Sequence, residues 1–263
     1  MGLQKTQIIS VVIFIGLFGI LYFGCDTKTK EHKAVEKSRA QNIELISPER
    51  LIAEARTQLT VNGKSDLFML DEELKEADSD SSKVKTYKAL ASLWYAEQYP
   101  LISGYYANKV AEIEESSEEA WSIAGTTYAI AAQRVSDENE KKHAILKSRS
   151  AFENVLSLNS ENVDSKINLA LSYVEMPEEG NPMKGILMLI DLNKKYPDNI
   201  SVLLNLGRLA LGTNQLDKSV ERLSRVVSID PNNTEAHCLL AEVYRKKGDL
   251  EKASLEQQMC DLK

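Results

Sequence analysis

Along most of the chain, apolar residues recur at intervals of three and four, which is the spacing of one face of an α-helix. In the segment AWSIAGTTYA, Trp121, Ala124, Gly125 and Tyr128 fall at i, i+3, i+4 and i+7. A glycine inside a helix costs about 1 kcal/mol relative to alanine, so its place between two large aromatic side chains needs a reason. We expect the rings to fill the space between helices, while Gly125 allows the backbone of a partner helix to come close.

The same pattern returns with a period of about 34 residues, which indicates a repeat architecture. Pro197 and Pro231 are separated by one such period, and each is followed by two polar residues and a helical segment with Gly207 or Ala241 at the same offset. The period divides the chain into copies at residues 84–117, 118–162, 163–199, 200–233 and 234–263, two of which carry insertions, around RVSDENEKK and MPEEGNP. The residues expected to pack the copies together are Trp121, Gly125, Tyr128, Pro197, Leu206, Gly207 and Pro231.

This repeat resembles the tetratricopeptide repeat (TPR), whose motif is W-x2-L-G-x2-Y, then A-x3-F, then a late proline. The stretch WSIAGTTY, from Trp121, matches the first block with alanine in place of leucine, and LLNLGRLA matches its centre. The resemblance covers roughly residue 84 to the C-terminus. It implies an all-α fold, a right-handed superhelical stack of helix-turn-helix repeats. The apolar run at residues 8–24, described below, adds a transmembrane or signal helix before this stack.

Two amphipathic segments precede the repeats. SPERLIAEARTQL begins with Ser47 as a helix N-cap and Pro48 at the first helical position, and SDLFMLDEELKEA is a second candidate, capped by Ser65 or Asp66. Residues 47–83 are therefore predicted to form a helical hairpin, either a degenerate repeat or a cap on the stack. Residues 26–46, rich in Lys and Glu, are predicted to be a solvated tether.

Residues 8–24 form an uncharged apolar run, IISVVIFIGLFGILYFG. As a helix it would span roughly 25 Å, which suits a short transmembrane anchor or a long signal-peptide core. Leu21, Gly24 and Cys25 resemble the lipobox of bacterial lipoproteins, so lipidation of Cys25 is one expectation and an unmodified thiol is the other.

The side of the membrane is indicated by two conflicting signals. More Lys and Arg residues follow the apolar run than precede it, which favours a cytoplasmic C-terminal part. A lipobox or an uncleaved secretory signal would place that part outside. We therefore expect a protein of the bacterial envelope, anchored in the inner membrane or as a lipoprotein, with its repeats on the periplasmic side because of the position of Cys25.

Composition and motifs exclude several function classes. The formal net charge of −7 and the pI near 5.2 argue against nucleic acid as a partner. GNPMKG lacks the Lys-Ser/Thr of a phosphate loop, and the three histidines are isolated. Cys238 and Cys260 lie far apart in sequence and indicate neither a zinc site nor a disulfide framework, so we expect small buried hydrophobes. No enzyme activity, cofactor or metal is predicted.

The TPR resemblance implies a groove lined by the first helix of each repeat. Carried over to this chain, the candidate binding residues are Lys88, Tyr95, Ile167, Leu171, Val174, Leu204, Arg208 and Leu211. The central residues predict an exposed aliphatic strip beside Arg208, which would receive an apolar segment of a partner. The alternative is that the chain's own tether, hairpin or C-terminal helix fills the groove. The Lys/Asn carboxylate clamp of the family is not reproduced, since Ile167 and Leu204 replace its lysines.

These observations predict a non-catalytic, membrane-anchored adaptor or scaffold that binds a protein or peptide segment in its groove. Two alternatives remain open at this point: a structural subunit of an envelope or secretion complex with a self-filled groove, and a regulatory accessory of a separate enzyme.

Overall fold

Helices that follow one another in pairs make up residues 46–261, the part of the chain that the computed structural model describes. In this part the helices are α1 (Pro48–Gln58), α2 (Val61–Glu76), α3 (Asp80–Ala96), α4 (Pro100–Ile113), α5 (Glu118–Arg134), α6 (Glu138–Leu158), α7 (Val163–Glu175), α8 (Lys184–Lys195), α9 (Ile200–Gly212), α10 (Leu216–Ile229), α11 (Thr234–Lys247) and α12 (Leu250–Asp261). The predicted all-helical fold is confirmed for these residues. None of these helices has the length and apolar content needed to cross a membrane. The predicted anchor at 8–24, Cys25 and almost all of the tether lie outside the described residues.

Polar side chains start most of the helices. Ser47, Ser117, Asn162, Asn199 and Asn233 each accept a hydrogen bond from the backbone N–H at the third position after them, which satisfies a donor that has no partner inside the helix.

Helix α2 begins earlier than its sequence pattern indicated. Its N-cap is Thr60, not Ser65 or Asp66, and the Thr60 hydroxyl accepts from the Gly63 N–H. The same hydroxyl donates to the Glu97 carboxylate over 2.6 Å. The start of α2 is therefore tied to the end of α3.

A left-handed residue closes the turn between the two helices in three of the five copies. Gln98, Asn214 and Gly248 have φ angles of 68°, 58° and 79°, and each stands at the same offset from the start of its copy. Gly248 adopts this conformation without the steric cost that a side chain imposes. In the other two copies the insertions replace this turn, and the charged insertion is mostly taken up by α5 and α6.

The paired helices cross closely at one small residue in four of the five copies. Ser103, Ser148 and Ser219, all on second helices, donate to the carbonyl oxygens of Ala91, Gly125 and Gly207 over 2.7, 2.8 and 2.8 Å. In the third copy the equivalent residue is a glycine, Gly185, whose missing Cβ would lie 2.3 Å from the Ala170 carbonyl oxygen. Small residues recur here because the second helix passes directly over this carbonyl.

The glycine between the two aromatic residues faces a ring of the paired helix. A Cβ on Gly125 would meet the Phe152 ring at 2.9 Å, so the glycine admits a side chain of α6. Tyr128 is 2% exposed and lies against Gly104 of the preceding copy. Trp121 is half-buried, and its Nε1 donates to the Glu115 carbonyl oxygen over 2.9 Å.

Two residues predicted to pack the repeats do not do so. Pro197 and Pro231 are exposed, and each directly follows the C-cap residue of a second helix. Proline cannot continue a helix, so these two residues mark the turns between copies. They contribute little to the apolar core of the stack.

Helices α1 and α2 cover the first repeat. Residues of α1 contact α4, and residues of α2 contact α3, in one apolar cluster that contains Leu67, Leu90, Trp94 and Ile102. Leu90 and Trp94 are completely buried. The two helices thus pack against the first copy and not along each other, unlike the helical hairpin that the sequence predicted.

A disulfide bond joins Cys238 of α11 to Cys260 of α12, with the two Cα atoms 4.8 Å apart. The expectation that these cysteines are unpaired small hydrophobes was wrong. They are distant along the sequence, but the turn at Gly248 lays α12 back along α11 and brings the two side chains together.

Candidate functional site

A cavity of about 310 Å³ opens between α3 and α5, the first helices of the first two copies. Its inner wall is formed by small apolar side chains, among them Ala107, Val110 and Ala120, which are 3–5% exposed. Ile123 of α5 also lines this cavity and is 51% exposed. We call it the α3–α5 cavity. It presents an apolar wall that a side chain of about the size of leucine could contact.

Charged groups line the same cavity. The Lys88 ammonium lies 3.3 Å from both carboxylate oxygens of Glu114, and Glu119 contributes a second carboxylate. Since the side chains of Lys88 and Glu114 are 55% and 35% exposed, this ion pair contributes little to stability. Both groups remain available to polar atoms of a partner.

Tyr95 extends this surface along α3. Lys88, Ser92 and Tyr95 fall at i, i+4 and i+7, so they share one face of the helix, and Tyr95 is 39% exposed. The Arg134 guanidinium at the end of α5 lies 5.5 Å from the centre of the Tyr95 ring. Two of the predicted binding residues, Lys88 and Tyr95, are thus exposed on one face near the α3–α5 cavity.

The predicted aliphatic strip of the central repeats is not an open surface. Ile167, Leu204 and Leu211 are 4%, 9% and 5% exposed, and Leu171 and Val174 are half-buried. The expectation that Ile167, Leu204 and Leu211 line an exposed groove was therefore wrong. Leu171 and Val174 are partly exposed and meet it only in part.

Packing between successive repeats explains this burial. Leu204 and Leu211 belong to an apolar cluster with Leu240 and Val243 of the following first helix, α11. Ile167 of α7 packs in the same way with residues of α9. These positions face the next helix, so their apolar character serves the stack.

Arg208, the polar residue of the predicted strip, is exposed. Its guanidinium forms an ion pair with Glu235 of the next copy and donates to the Asn205 side-chain oxygen over 3.0 Å. It therefore links two repeats at the surface.

A second cavity, of about 240 Å³, lies beside α1. Leu51 and Ala55 of α1, Tyr99 before α4, and Arg134 and Glu140 at the α5–α6 connection line it. Burial, with a smaller effect of the neighbouring Asp137, raises the pKa of the Glu140 carboxyl. Within residues 46–261, no group of three or more His, Cys, Asp or Glu residues is placed to hold a metal ion.

The sequence analysis did not identify Ile123 or Glu114 as site residues. Ile123 lies beside the buried stripe of α5, two positions after Trp121, and an isoleucine just off an apolar stripe is the one signal that could have identified it. Glu114 belongs to the acidic run between repeats, where sequence alone does not show which carboxylate turns toward α3.

Comparison with known proteins identifies the repeat. Residues 213–254, which span α10, α11 and the start of α12, match the family model of the TPR repeat. The interferon-induced protein with tetratricopeptide repeats 3 of Mus musculus is 27% identical over 142 residues, covering 51% of this chain and 34% of that protein. The interferon-induced protein with tetratricopeptide repeats 2 of Homo sapiens is 30% identical over 120 residues, covering 45% and 25%. The chain thus spans about a third or less of these relatives.

Solved structures of similar helical proteins include MamA from Desulfovibrio magneticus RS-1. It has a TM-score of 0.48 and 18% identity, with 68% of this chain and 94% of that chain covered. YrrB, described as a TPR protein with an unusual peptide-binding site, has a TM-score of 0.42 and 17% identity, with coverages of 73% and 90%. The predicted resemblance to the TPR repeat is confirmed for residues 213–254.

Proposed function

We propose that this chain is a non-catalytic, membrane-anchored adaptor that binds a protein or peptide segment at the α3–α5 cavity. The partner segment would place an apolar side chain against Ile123 and the small residues of the cavity wall. Its polar atoms would meet Lys88 and the neighbouring carboxylates.

The observation that carries this proposal is the exposure of Ile123 at a cavity with an apolar wall. A single exposed isoleucine is common on protein surfaces. Ile123, however, borders a concave apolar wall with an ion pair beside it, and apolar anchors in such pockets dominate protein–protein binding. In the predicted strip of the central repeats, in contrast, Ile167, Leu204 and Leu211 are buried against neighbouring helices.

Membrane anchoring is the second part of the proposal, and it rests on the apolar run at residues 8–24. An anchored domain meets a partner on the same membrane at a raised effective concentration. Mass spectrometry of the mature N-terminus tests this part, since a lipid-modified N-terminal Cys25 or an intact anchor supports it and cleavage to an unmodified, soluble chain contradicts it.

Site-specific photo-crosslinking tests the binding site. A photoreactive amino acid at Ser92, beside the cavity, is expected to capture a defined partner in cells that express the full chain. Ile123→Asp should reduce that capture by about tenfold or more, because it replaces an apolar anchor by a charge.

Leu187→Asp provides the matched control, because Leu187 is a branched aliphatic residue with the same exposure of 51% on α8, outside the cavity. It should leave the capture unchanged. Equal capture by wild type and by a folded Ile123→Asp protein would rule out the α3–α5 cavity as the binding site. A product that consists of a second copy of this chain would indicate a self-filled groove in an oligomer.

A further inference from the structure

The disulfide occupies positions that are apolar in the preceding copy. Counting back by one repeat period, Cys238 corresponds to Leu204 and Cys260 corresponds to Val226. Leu204 and Val226 are 9% and 0% exposed and lie in one apolar cluster with residues of α11. In the fourth copy, these two residues therefore form part of the surface on which the fifth copy packs.

Three further positions of that surface become polar, whereas Leu216 corresponds to an apolar residue, Leu250. Leu211 and Leu223, which are 5% and 0% exposed in the fourth copy, correspond to Arg245 and Gln257. Half-buried Val220 corresponds to Ser254, which is exposed. The outer face of α11 and α12 therefore has fewer apolar residues on which a further repeat could pack than the same face of the fourth copy.

Helix α12 has few apolar contacts to hold it against α11. Ala253 is its one buried residue, and Leu250 and Leu255 are 71% and 57% exposed. Besides the disulfide, two polar contacts attach it to α11: His237 and Glu256, 2.5 Å between Nδ1 and Oε2, and the Lys252 ammonium, 5.4 Å from the centre of the Tyr244 ring. Most helices of a stack are held in place because they bury an apolar face between neighbouring helices. Helix α12 buries such a face only on the side of α11.

We propose that the Cys238–Cys260 disulfide is a structural cross-link that replaces inter-repeat packing at this face, and that it forms because the repeats fold in an oxidising compartment. The proposal is independent of partner binding at the α3–α5 cavity. It addresses the side of the membrane, since structural disulfides persist in extracytoplasmic compartments and are rare in the cytosol.

The bond would form by exchange with an oxidant of the disulfide class, such as a protein disulfide oxidoreductase. The thiolate of one cysteine attacks a sulfur of that disulfide, which gives a mixed disulfide and releases one thiolate of the oxidant. The second thiolate of the chain then attacks the mixed disulfide, which forms the Cys238–Cys260 bond and releases the other. Two electrons pass to the oxidant, and the two protons lost by the cysteines end on its dithiol.

Thiol trapping in intact cells tests the compartment. Cells that express the full chain are quenched with acid and alkylated before and after reduction, and the peptides with Cys238 and Cys260 are quantified by mass spectrometry. Both cysteines should be alkylated only after reduction, and not before it. Alkylation of both before reduction would overturn the proposal.

Hydrogen exchange on the purified full chain tests the structural role. Reduction should raise the exchange rates of α12 amides by about 100-fold, because opening a loop of this length removes the stabilisation that the cross-link gives. The α9–α10 pair, which has Leu204 and Val226 at the positions of the two cysteines, serves as the internal control. The exchange rates of its amides should not change on reduction. The Cys238→Ala/Cys260→Ala protein should behave like the reduced wild type. Unchanged exchange in α12 after confirmed reduction would show that the bond does not hold this helix.

Discussion

At the scale of single residues, the spacing between paired helices depends on positions without a side chain. Gly207 shows this most directly, because its carbonyl oxygen accepts from Ser219 and its missing Cβ would lie 2.8 Å from both Cγ and Cδ2 of Leu223. Leu223 is completely buried, so it has little room to move. The propensity lost by glycine in a helix is therefore offset by a contact that no larger residue permits.

Gly207→Ala is expected to destabilise the protein by about 1–2 kcal/mol. Overpacking in a core costs about 1–3 kcal/mol, and the better helix propensity of alanine recovers up to about 1 kcal/mol. Urea denaturation followed by circular dichroism measures the difference. Gly212→Ala, in the same helix, is the control: no heavy atom lies within 4 Å of its added Cβ, and it should stabilise slightly. An equal effect of both substitutions would contradict the steric explanation.

At the scale of helices, a buried arginine joins the second repeat to the third. Arg149 of α6 is 6% exposed, and its Nη2 donates to the carbonyl oxygens of Ser172 and Met176, each over 2.9 Å. Its guanidinium lies 3.8 Å from the centre of the Tyr173 ring, and the Lys184 ammonium lies 3.7 Å from the same centre. The carbonyl oxygens of Ser172 and Met176, at the end of α7, thus accept hydrogen bonds from a side chain of α6. This end of α7 lies next to the MPEEGNP insertion, which replaces the regular turn.

Arg149→Met is expected to destabilise the protein by roughly 2–4 kcal/mol, because buried carbonyl oxygens lose charge-assisted hydrogen bonds that methionine cannot replace. Arg149→Lys keeps the charge but cannot reach two carbonyls in a planar geometry, so it should also destabilise, by less. Thermal unfolding measures both. Wild-type stability of the Met variant would show that these bonds contribute nothing net.

At the scale of the whole stack, stability should depend on pH through the contact between α11 and α12. Burial alone would lower the pKa of His237. Its hydrogen bond to the Pro231 carbonyl oxygen, together with the nearby carboxylates of Glu256 and Asp230, outweighs burial and raises this pKa. A raised pKa in the folded state adds stability that is complete below about pH 6.5, the ordinary imidazole value. That stability is lost as the pH rises through the folded pKa.

The melting temperature of the oxidised protein is therefore expected to fall as the pH is raised from 6 to 8.5. Glu256→Gln removes the charge that favours the imidazolium, so its melting temperature should fall less over the same interval. Parallel curves for wild type and variant would show that His237 makes no pH-dependent contribution.

The presence of the helices and the repeat period could be predicted from the sequence, because each depends on spacing along a few consecutive turns, whereas the start of α2 was placed too late. The stripe Trp121–Gly125–Tyr128 and the cap at Ser47 are of this kind. The role of Pro197 and Pro231 was only half predicted, since their spacing marked the repeat correctly but did not show that they lie in exposed turns.

Tertiary structure alone decided which side of each helix is open. Leu204 and Ile123 are both aliphatic residues of first helices, yet the first is covered by the next repeat and the second borders a cavity. In the same way, Cys238 and Cys260 meet only after the turn at Gly248 reverses the chain. The local pattern of residues determines the elements of this protein, whereas exposure, the binding surface and the covalent cross-link depend on what packs across from each residue.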